Sequence, residues 1–345
     1  MWSRIGAAVL FLWLALGGSG PAAAQDVESF FRGKQLEILV GNAAGGGYDL
    51  YSRVLARHIG RHVPGNPGVV VKNVPGAGGL KLANDLYATT PKDGTSFGIF
   101  DRGVVIEPLL DNSGARFDAT KFSAIGSIGK QVATCAAWYQ APVKTIQQAL
   151  EQELVIGGTG PSATTTYPTL LNAVIKTKFK IVSGYEGSGD IMLALERGEV
   201  QGVCLSWPTL KSIKGDWVRD KKLVPLVQIS LVSDPELAGV PLVQDIAKSD
   251  AARDMLQFFF APNEFGRPYF APPGVPADRL AALRRGFDAT MKDPAFLADA
   301  EKSRMDVDPM TGEAMQALLQ RIYAAPPAVI KGVADAMAVF RTGGK

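Results

Sequence analysis

The sequence predicts two α/β units joined by crossover strands, and three observations carry that reading. Apolar strands alternate with amphipathic helices along the chain, which argues for mostly parallel sheets. The strand-loop-helix pattern starts again after Ser127. Hydrophobic residues make up 47% of the 345, which excludes a disordered chain. Beyond an N-terminal leader about 320 residues remain, enough for two domains with cores of ordinary size.

The leader is read from Arg4, an apolar run from Ile5 to Leu16, and "AAAQ". These form a charged start, a short apolar stretch and a small-residue cleavage site, so residues 1–24 read as a signal peptide cut before Gln25. A run of about 12 apolar residues falls short of the roughly 18 to 20 that cross a bilayer. No cysteine stands at the cut, which argues against a lipoprotein anchor. Export to the periplasm follows as an expectation. The formal net charge is +3, and the leader takes away Arg4 and no acid. So near a balance offers no global field for nucleic acid or an anionic membrane.

The first unit opens with a strand from Gln35 to Val40, a glycine cluster, and a helix marked by Leu50, Val54, Leu55, His58 and Ile59 at helical spacing. Asp49 suits its first turn and Pro64 its end. "VVVKNV" (Val69 to Val74) and "TSFGIF" (Thr95 to Phe100) read as further strands, with the "PGAGG" turn and a short helix between them. The second unit carries strands in "VATCAAWY", "LVIGGTG", "KIVSG" and "VQGVCLSWP", with helices to Val174 and up to Gly198. "LVPLVQIS" (Leu223 to Ser230) reads as a strand passing out of that unit. A Pro-rich stretch from Phe260 to Pro276 and amphipathic helices around Asp278 to Met291 and Gly312 to Tyr323 close the chain.

Gly45, Gly46 and Gly47, followed by Tyr48 and Asp49, stand at a strand-to-helix junction. Such a junction presents unpaired N–H groups and the positive end of a helix dipole, a seat for an anion. Leu50 replaces the last glycine of a dinucleotide fingerprint and no P-loop lysine follows, so a nucleotide and other cofactors are not expected. A second junction, Tyr185 with Gly187, Ser188, Gly189 and Asp190, repeats the arrangement, with Ser162, Ala163 and Thr164 in the hydroxyl-rich turn "PSATTTYP". Two units aiming helix N-termini at a shared cleft would make a clamp.

Other residues have two readings each. Arg102 ends a strand where open α/β sheets place ligands, so its guanidinium either forks onto a carboxylate or sits solvated in a loop. Trp207 either walls the cleft or packs in the core. His58 and His62 stand four apart on one helix face, but no third ligand accompanies them, and no metal is expected. Cys135 and Cys204 are either one disulfide, which an exported chain could keep, or two buried thiols.

Taken in order, "GGGYDLYSRVLA", "VVVKNVPGAGG", "PKDGTSFGI", "GYEGSGDIMLALERGEV", "KLVPLVQIS", "LAGVPLVQDI" and "FAPPGVPADRLAALRRGFDATMKDP" resemble the Bug family, the periplasmic substrate-binding receptors of tripartite tricarboxylate transporters. The resemblance implies a two-lobed periplasmic-binding-protein fold of type II, with one lobe from 25–130 plus 233–345 and the other from 131–232. It implies a monomeric receptor without catalysis that closes on a small organic acid, held largely by backbone N–H groups of both glycine loops, and delivers it to a membrane permease. It also sets Cys135 and Cys204 on adjacent strands of the second lobe. Two positions depart from the family pattern, where Ala44 and Asp190 replace prolines. Asp190 either caps its own helix or meets an amine or hydroxyl of the ligand.

Two other function classes are consistent with the same site residues. A ligand sensor for a membrane signalling partner would use identical chemistry. An exported hydrolase or lyase would use Asp49 and Asp190 as a carboxylate pair, although both stand where helix caps belong.

Overall fold

The computed structural model describes residues 21–159 and 162–341. Most of the expected leader lies outside that range, and its last residues belong to a helix, Pro21–Phe31. No helix among the described residues is long and apolar enough to cross a membrane.

Two sheets organise the chain. The first contains β1 (Gln35–Val40), β2 (Gly68–Asn73), β3 (Ser96–Ile99) and β4 (Ser123–Ser127). The second contains β5 (Ala133–Trp138), β6 (Leu154–Gly158), β7 (Phe179–Ser183), β8 (Gly202–Ser206) and β9 (Leu223–Ile229). The chain then returns to the first sheet as β10 (Pro268–Ala271) and β11 (Met310–Thr311). The strand orders are β11-β4-β10-β3-β1-β2 and β7-β6-β8-β5-β9.

The expectation of mostly parallel sheets needs correcting. β1 runs parallel to β2 and β3, and β6 parallel to β7 and β8. β10 is antiparallel to β3 and β4, β11 to β4, and β5 to both β8 and β9. The cause is the crossing itself, because a strand that enters from the other unit does not arrive through a right-handed helical crossover and is free to pair antiparallel. β9 accordingly completes the second sheet at its edge, beside β5, before the chain leaves.

Side-chain size and alternation set where the strands sit. β5 is buried at every position and reads Ala-Thr-Cys-Ala-Ala-Trp, the small residues needed between two close neighbours. Cys135 faces Cys204 directly across the β5–β8 ladder, and the two are joined as a disulfide. On β10, successive residues point to opposite faces. Tyr269 packs with Phe97 and Phe287, and Phe270 stacks on Phe100 at a centroid distance of 5.5 Å. Each such buried ring contributes about 1.5–3 kcal/mol.

Five longer helices escape the sequence reading: Pro21–Phe31, Trp207–Arg219, Asp250–Phe260, Pro294–Lys302 and Pro327–Arg341. The last packs against the Ala163–Val174 helix of the second sheet as well as the Arg102–Leu110 turn of the first. A single apolar cluster therefore runs from Phe122 and Phe270 through Phe260 to Cys135 and Ile156, tying the sheets together behind the cleft. Between the sheets the crossing segments touch at backbone distance. A Cβ on Gly266, whose φ is +57°, would lie 1.6 Å from the carbonyl oxygen of Gly129, so only glycine fits there.

His58 and His62 lie in the Gly47–Ile59 helix and the turn after it, where they face Asp299 of the Pro294–Lys302 helix and Asp293 at its N-cap. His58 Nε2 is 2.9 Å from Asp299 and His62 Nε2 is 2.8 Å from Asp293, and Arg57 and Arg61 join the same carboxylates. Arg57 and then His58 hold the Asp299 carboxyl down at about 2, and His62 and Arg61 hold Asp293 well below the usual range. A carboxyl with a depressed folded-state pKa stabilises the fold above its unfolded value, and that contribution is lost as pH falls through the folded value. The urea midpoint of the protein is therefore expected to fall between about pH 5 and pH 2, and Asp299→Asn should flatten part of that slope. Equal slopes for the two proteins would show that this helix pair does not carry the acid sensitivity.

Candidate ligand-binding site

The site begins at the carboxyl end of β3. Asp101 accepts from the Gly103 N–H at 2.9 Å and so caps the Arg102–Leu110 turn, which swings Arg102 inward. Arg102 is 3% exposed. Its Nε donates to Asn263 Oδ1 at 2.5 Å, Nη1 to Gln131 Oε1 at 2.9 Å and to the Tyr48 hydroxyl at 3.3 Å, and Nη2 to the Tyr167 hydroxyl at 2.7 Å. A guanidinium carries five N–H donors, so these four bonds leave one on Nη2.

All four acceptors are neutral, and Arg102 enters none of the ion pairs among the described residues. The adjacent Asp101 makes no ion pair with it but raises its pKa by direct attraction, and its Oδ2 also accepts from the Tyr48 hydroxyl at 3.3 Å. Burial opposes the Arg102 charge, but the oxygens of Tyr167, Tyr48 and Asp101 outweigh it and raise its pKa, so the guanidinium stays charged. Burial in turn pushes the Tyr167 hydroxyl up to about 12, so it is a neutral partner. A charge removed from water costs several kcal/mol, and with no carboxylate bonded directly to it, an anion bound here would offset that cost.

The four acceptors come from both units and the segments between them. Tyr48 belongs to the first, Tyr167 to the Ala163–Val174 helix of the second, and Gln131 and Asn263 to the segments that cross between them, Asn263 in the Ala261–Glu264 turn. Asn263 is itself held by the Ile229 carbonyl and by the Tyr167 hydroxyl, which donates to it at 2.8 Å. Arg102 thus sits where the two lobes meet.

Arg102, Tyr167 and Asn263 bound a cavity of about 460 Å³. The Ala77–Gly78 turn after β2 and Ser162 and Ala163 at the start of their helix contribute backbone and a hydroxyl to its wall. Ser162, Thr164 and Thr159 hydroxyls bond one another at 2.7–3.0 Å, and Thr164 also accepts from the Thr159 N–H. The volume falls in the range of small-molecule pockets.

The structure places the other expected site residues apart from this cavity. Gly45 at φ +82° and Gly46 are exposed in the first loop. A Cβ on Gly47 would lie 2.8 Å from the guanidinium of Arg267, which packs over the rings of Tyr48 and Tyr51 at 4.5 and 4.7 Å. Burial pushes the Asp49 carboxyl up, but bonds from Arg53, Gly45 N–H and Asn73 together hold it below its ordinary value. Its carboxylate is thereby committed to the loop before its helix, to Arg53 one turn on and to Asn73 of β2. Asp190 likewise accepts from the Gly187 N–H at 2.9 Å and caps the Ser188–Arg197 helix. Gly189 is exposed, and Tyr185 packs on the core of the second sheet. Trp207 belongs to that same core, its indole N–H donating to Glu236 at 2.8 Å.

Sequence reasoning singled out Arg102 and the Ser162 turn but not Tyr167, Gln131 or Asn263. Tyr167 lies inside the quoted hydroxyl-rich turn, where an aromatic hydroxyl was a legible signal. Gln131 and Asn263 are polar residues in crossing segments with no periodicity to mark them.

Neither a family model nor a curated protein matches the chain. Solved structures do. The periplasmic binding protein BugD aligns over 91% of this chain and 99% of its own at 21% identity, with a TM-score of 0.63. MatC from Rhodopseudomonas palustris with bound malate covers 87% of this chain and 100% of its own at 19% identity and a TM-score of 0.66. An R. palustris protein solved with adipate covers 87% and 97% at 18% identity and 0.64. The chain has the fold of a periplasmic binding protein. Arg102 lies at the junction between the two units of that fold.

Replacing Tyr167 with Phe removes the acceptor of Arg102 Nη2 and leaves a buried charged donor without its partner. We expect a loss of about 1–3 kcal/mol in urea unfolding. An unchanged midpoint would mean that Tyr167 is not needed to hold the guanidinium.

Proposed function

We propose that the protein is an extracytoplasmic receptor of the Bug type, which closes on a small organic acid and delivers it to a membrane permease. One observation carries the reading: a buried guanidinium with a spare donor and only neutral partners, at the junction of two lobes and on the wall of a cavity. A carboxylate supplies the missing charge and accepts in the fork geometry that arginine offers. Because Arg102 and Tyr167 stand on different lobes, a ligand seated between them binds the closed arrangement better than an open one, and that difference drives closure.

Several features support the reading. The folds of BugD, of the malate-bound MatC and of the adipate-bound protein are similar over nearly their whole length. The leader expected at residues 1–24 fits a periplasmic location, and the lobes would follow the boundaries at 25–130 plus 233–345 and 131–232. A hydrolase using Asp49 and Asp190 gains nothing from the geometry, since the Asp49 carboxylate is taken up by Gly45, Arg53 and Asn73 and Asp190 caps its own helix.

Calorimetry against a panel of short carboxylates tests the reading. At least one is expected to bind, and Arg102→Met should weaken it by about 100-fold or more, the cost of a lost charge-assisted bond in a buried site. The same change leaves the Asn263, Gln131, Tyr48 and Tyr167 oxygens without their donor, so the variant should also lose about 1–3 kcal/mol in urea unfolding, and circular dichroism of the folded variant accompanies the binding measurement. Binding that survives Arg102→Met would contradict the assignment of the anion seat.

A further inference from the structure

A second guanidinium stands close to the anion seat without lining the cavity. Arg267 is 4% exposed and enters none of the ion pairs among the described residues, and its Nε is buried with no hydrogen-bond partner. Aromatic rings hold it instead. The guanidinium lies 4.5 Å from the centre of the Tyr48 ring and 4.7 Å from that of Tyr51, two residues on one face of the Gly47–Ile59 helix. Its tip rests against Gly47, where a Cβ would lie 2.8 Å from Nη2, so the glycine that starts the helix makes room for it. A desolvated cation is attracted to the negative face of an aromatic ring, so Arg267 sets where both rings sit.

The Tyr48 ring matters for what its hydroxyl does. That oxygen accepts from the Arg102 backbone N–H at 3.2 Å and from Nη1 at 3.3 Å, and it donates to Asp101 Oδ2 at 3.3 Å. These distances stand at the long end of the hydrogen-bond range, so a tilted ring would lose them. The Tyr51 hydroxyl is tied elsewhere, accepting from the Asp306 N–H at 3.1 Å and donating to the Asp306 carbonyl at 3.3 Å. Arg267 is itself fixed at its backbone, where its N–H donates to Ser127 Oγ at 3.1 Å and to the Gly129 carbonyl at 3.2 Å. Asn263, the acceptor of Arg102 Nε, stands on the same returning segment. That segment reaches Arg102 twice, directly through Asn263 and by way of Arg267 and the Tyr48 ring.

We infer that Arg267 is a positioning residue for the anion seat: its guanidinium fixes the Tyr48 ring so that the Tyr48 hydroxyl meets Arg102, and it touches no ligand itself. This rests on the proposed receptor reading and adds to it a residue outside the cavity. With the ring free to tilt, Arg102 loses its bonds to the Tyr48 oxygen, and the spare Nη2 donor is no longer held in the direction a carboxylate needs. A direct pull of the Arg267 charge on the ligand would not depend on the Tyr48 hydroxyl, which separates the two routes.

A double-mutant cycle on the whole protein tests this, read by calorimetry at neutral pH with whichever of malate, adipate and butanoate binds the unmodified protein most tightly. Tyr48→Phe keeps the ring and removes the hydroxyl. Arg267→Met and Tyr48→Phe should each weaken binding by about tenfold, and Arg267→Met should cost less than about twofold more once Tyr48→Phe is in place, because no hydroxyl is left to position. Arg267→Lys, which returns a cation to the ring face, should recover at least about threefold of the loss. Gly47→Ala makes the same test with Arg267 intact, since the added Cβ displaces the guanidinium: affinity should fall in the unmodified protein and hold in Tyr48→Phe, also where Arg267→Met fails to fold. Unchanged affinity in Arg267→Met, or an equal loss with and without the Tyr48 hydroxyl, overturns the inference and leaves the receptor reading intact. Failure of every short carboxylate to bind overturns the receptor reading, and this inference with it.

Discussion

The charge on Arg102 is the constraint around which this cleft is arranged. A buried guanidinium must find acceptors in fixed directions, and here they come from a helix of the first lobe, a helix of the second and both crossing segments. The same four bonds that solvate the charge also set the relative position of the lobes. Because the acceptors are neutral, the arrangement is complete in hydrogen bonds except for one donor, and incomplete in charge. That combination is a poor way to stabilise a fold and a good way to hold an anion.

The rest of the molecule makes this arrangement possible. The Gly129–Gly266 approach brings the crossing segments into backbone contact, which fixes Gln131 and Asn263 beside each other; the Gln131 N–H donates to the Asn263 carbonyl at 3.0 Å. The Cys135–Cys204 bridge ties the two strands at the centre of the second sheet, away from the cleft. The C-terminal helix covers both sheets on one side and closes the cavity with Met337. Apolar packing thus holds the frame, and a few polar residues at the crossing hold the site.

Much of the frame was legible because periodicity marks it. The strands β1, β2, β3, β5, β6, β7, β8 and β9 fall within a residue or two of the apolar runs in the sequence, since a strand buried on both faces reads as a continuous apolar segment. β10 was hidden in a Pro-rich stretch, and β4 and the Pro327–Arg341 helix had no clear punctuation. The antiparallel pairings were not legible, because they depend on which unit a crossing strand joins. For the site, the outcome follows side-chain chemistry. Arg102 stands at the end of a strand where a ligand residue is expected, whereas Asp49 and Asp190 bond to backbone at helix starts, and Trp207 packs in the core with its indole N–H on Glu236. Tyr167 and Asn263 gain their roles only from three-dimensional proximity.

The two glycine loops show how the same pattern can serve two ends. Gly47 admits the Arg267 guanidinium to the start of its helix, and Gly187 receives the Asp190 cap. Neither loop lines the cavity, so the account places the anion on a side chain and not on backbone N–H groups. A crystal structure of the protein with a short carboxylate that binds it tests this most directly. The account predicts a carboxylate oxygen within hydrogen-bond distance of Arg102 Nη2. A carboxylate seated on the Gly45–Gly47 loop, with Arg102 still bound only to its four neutral acceptors, would contradict it.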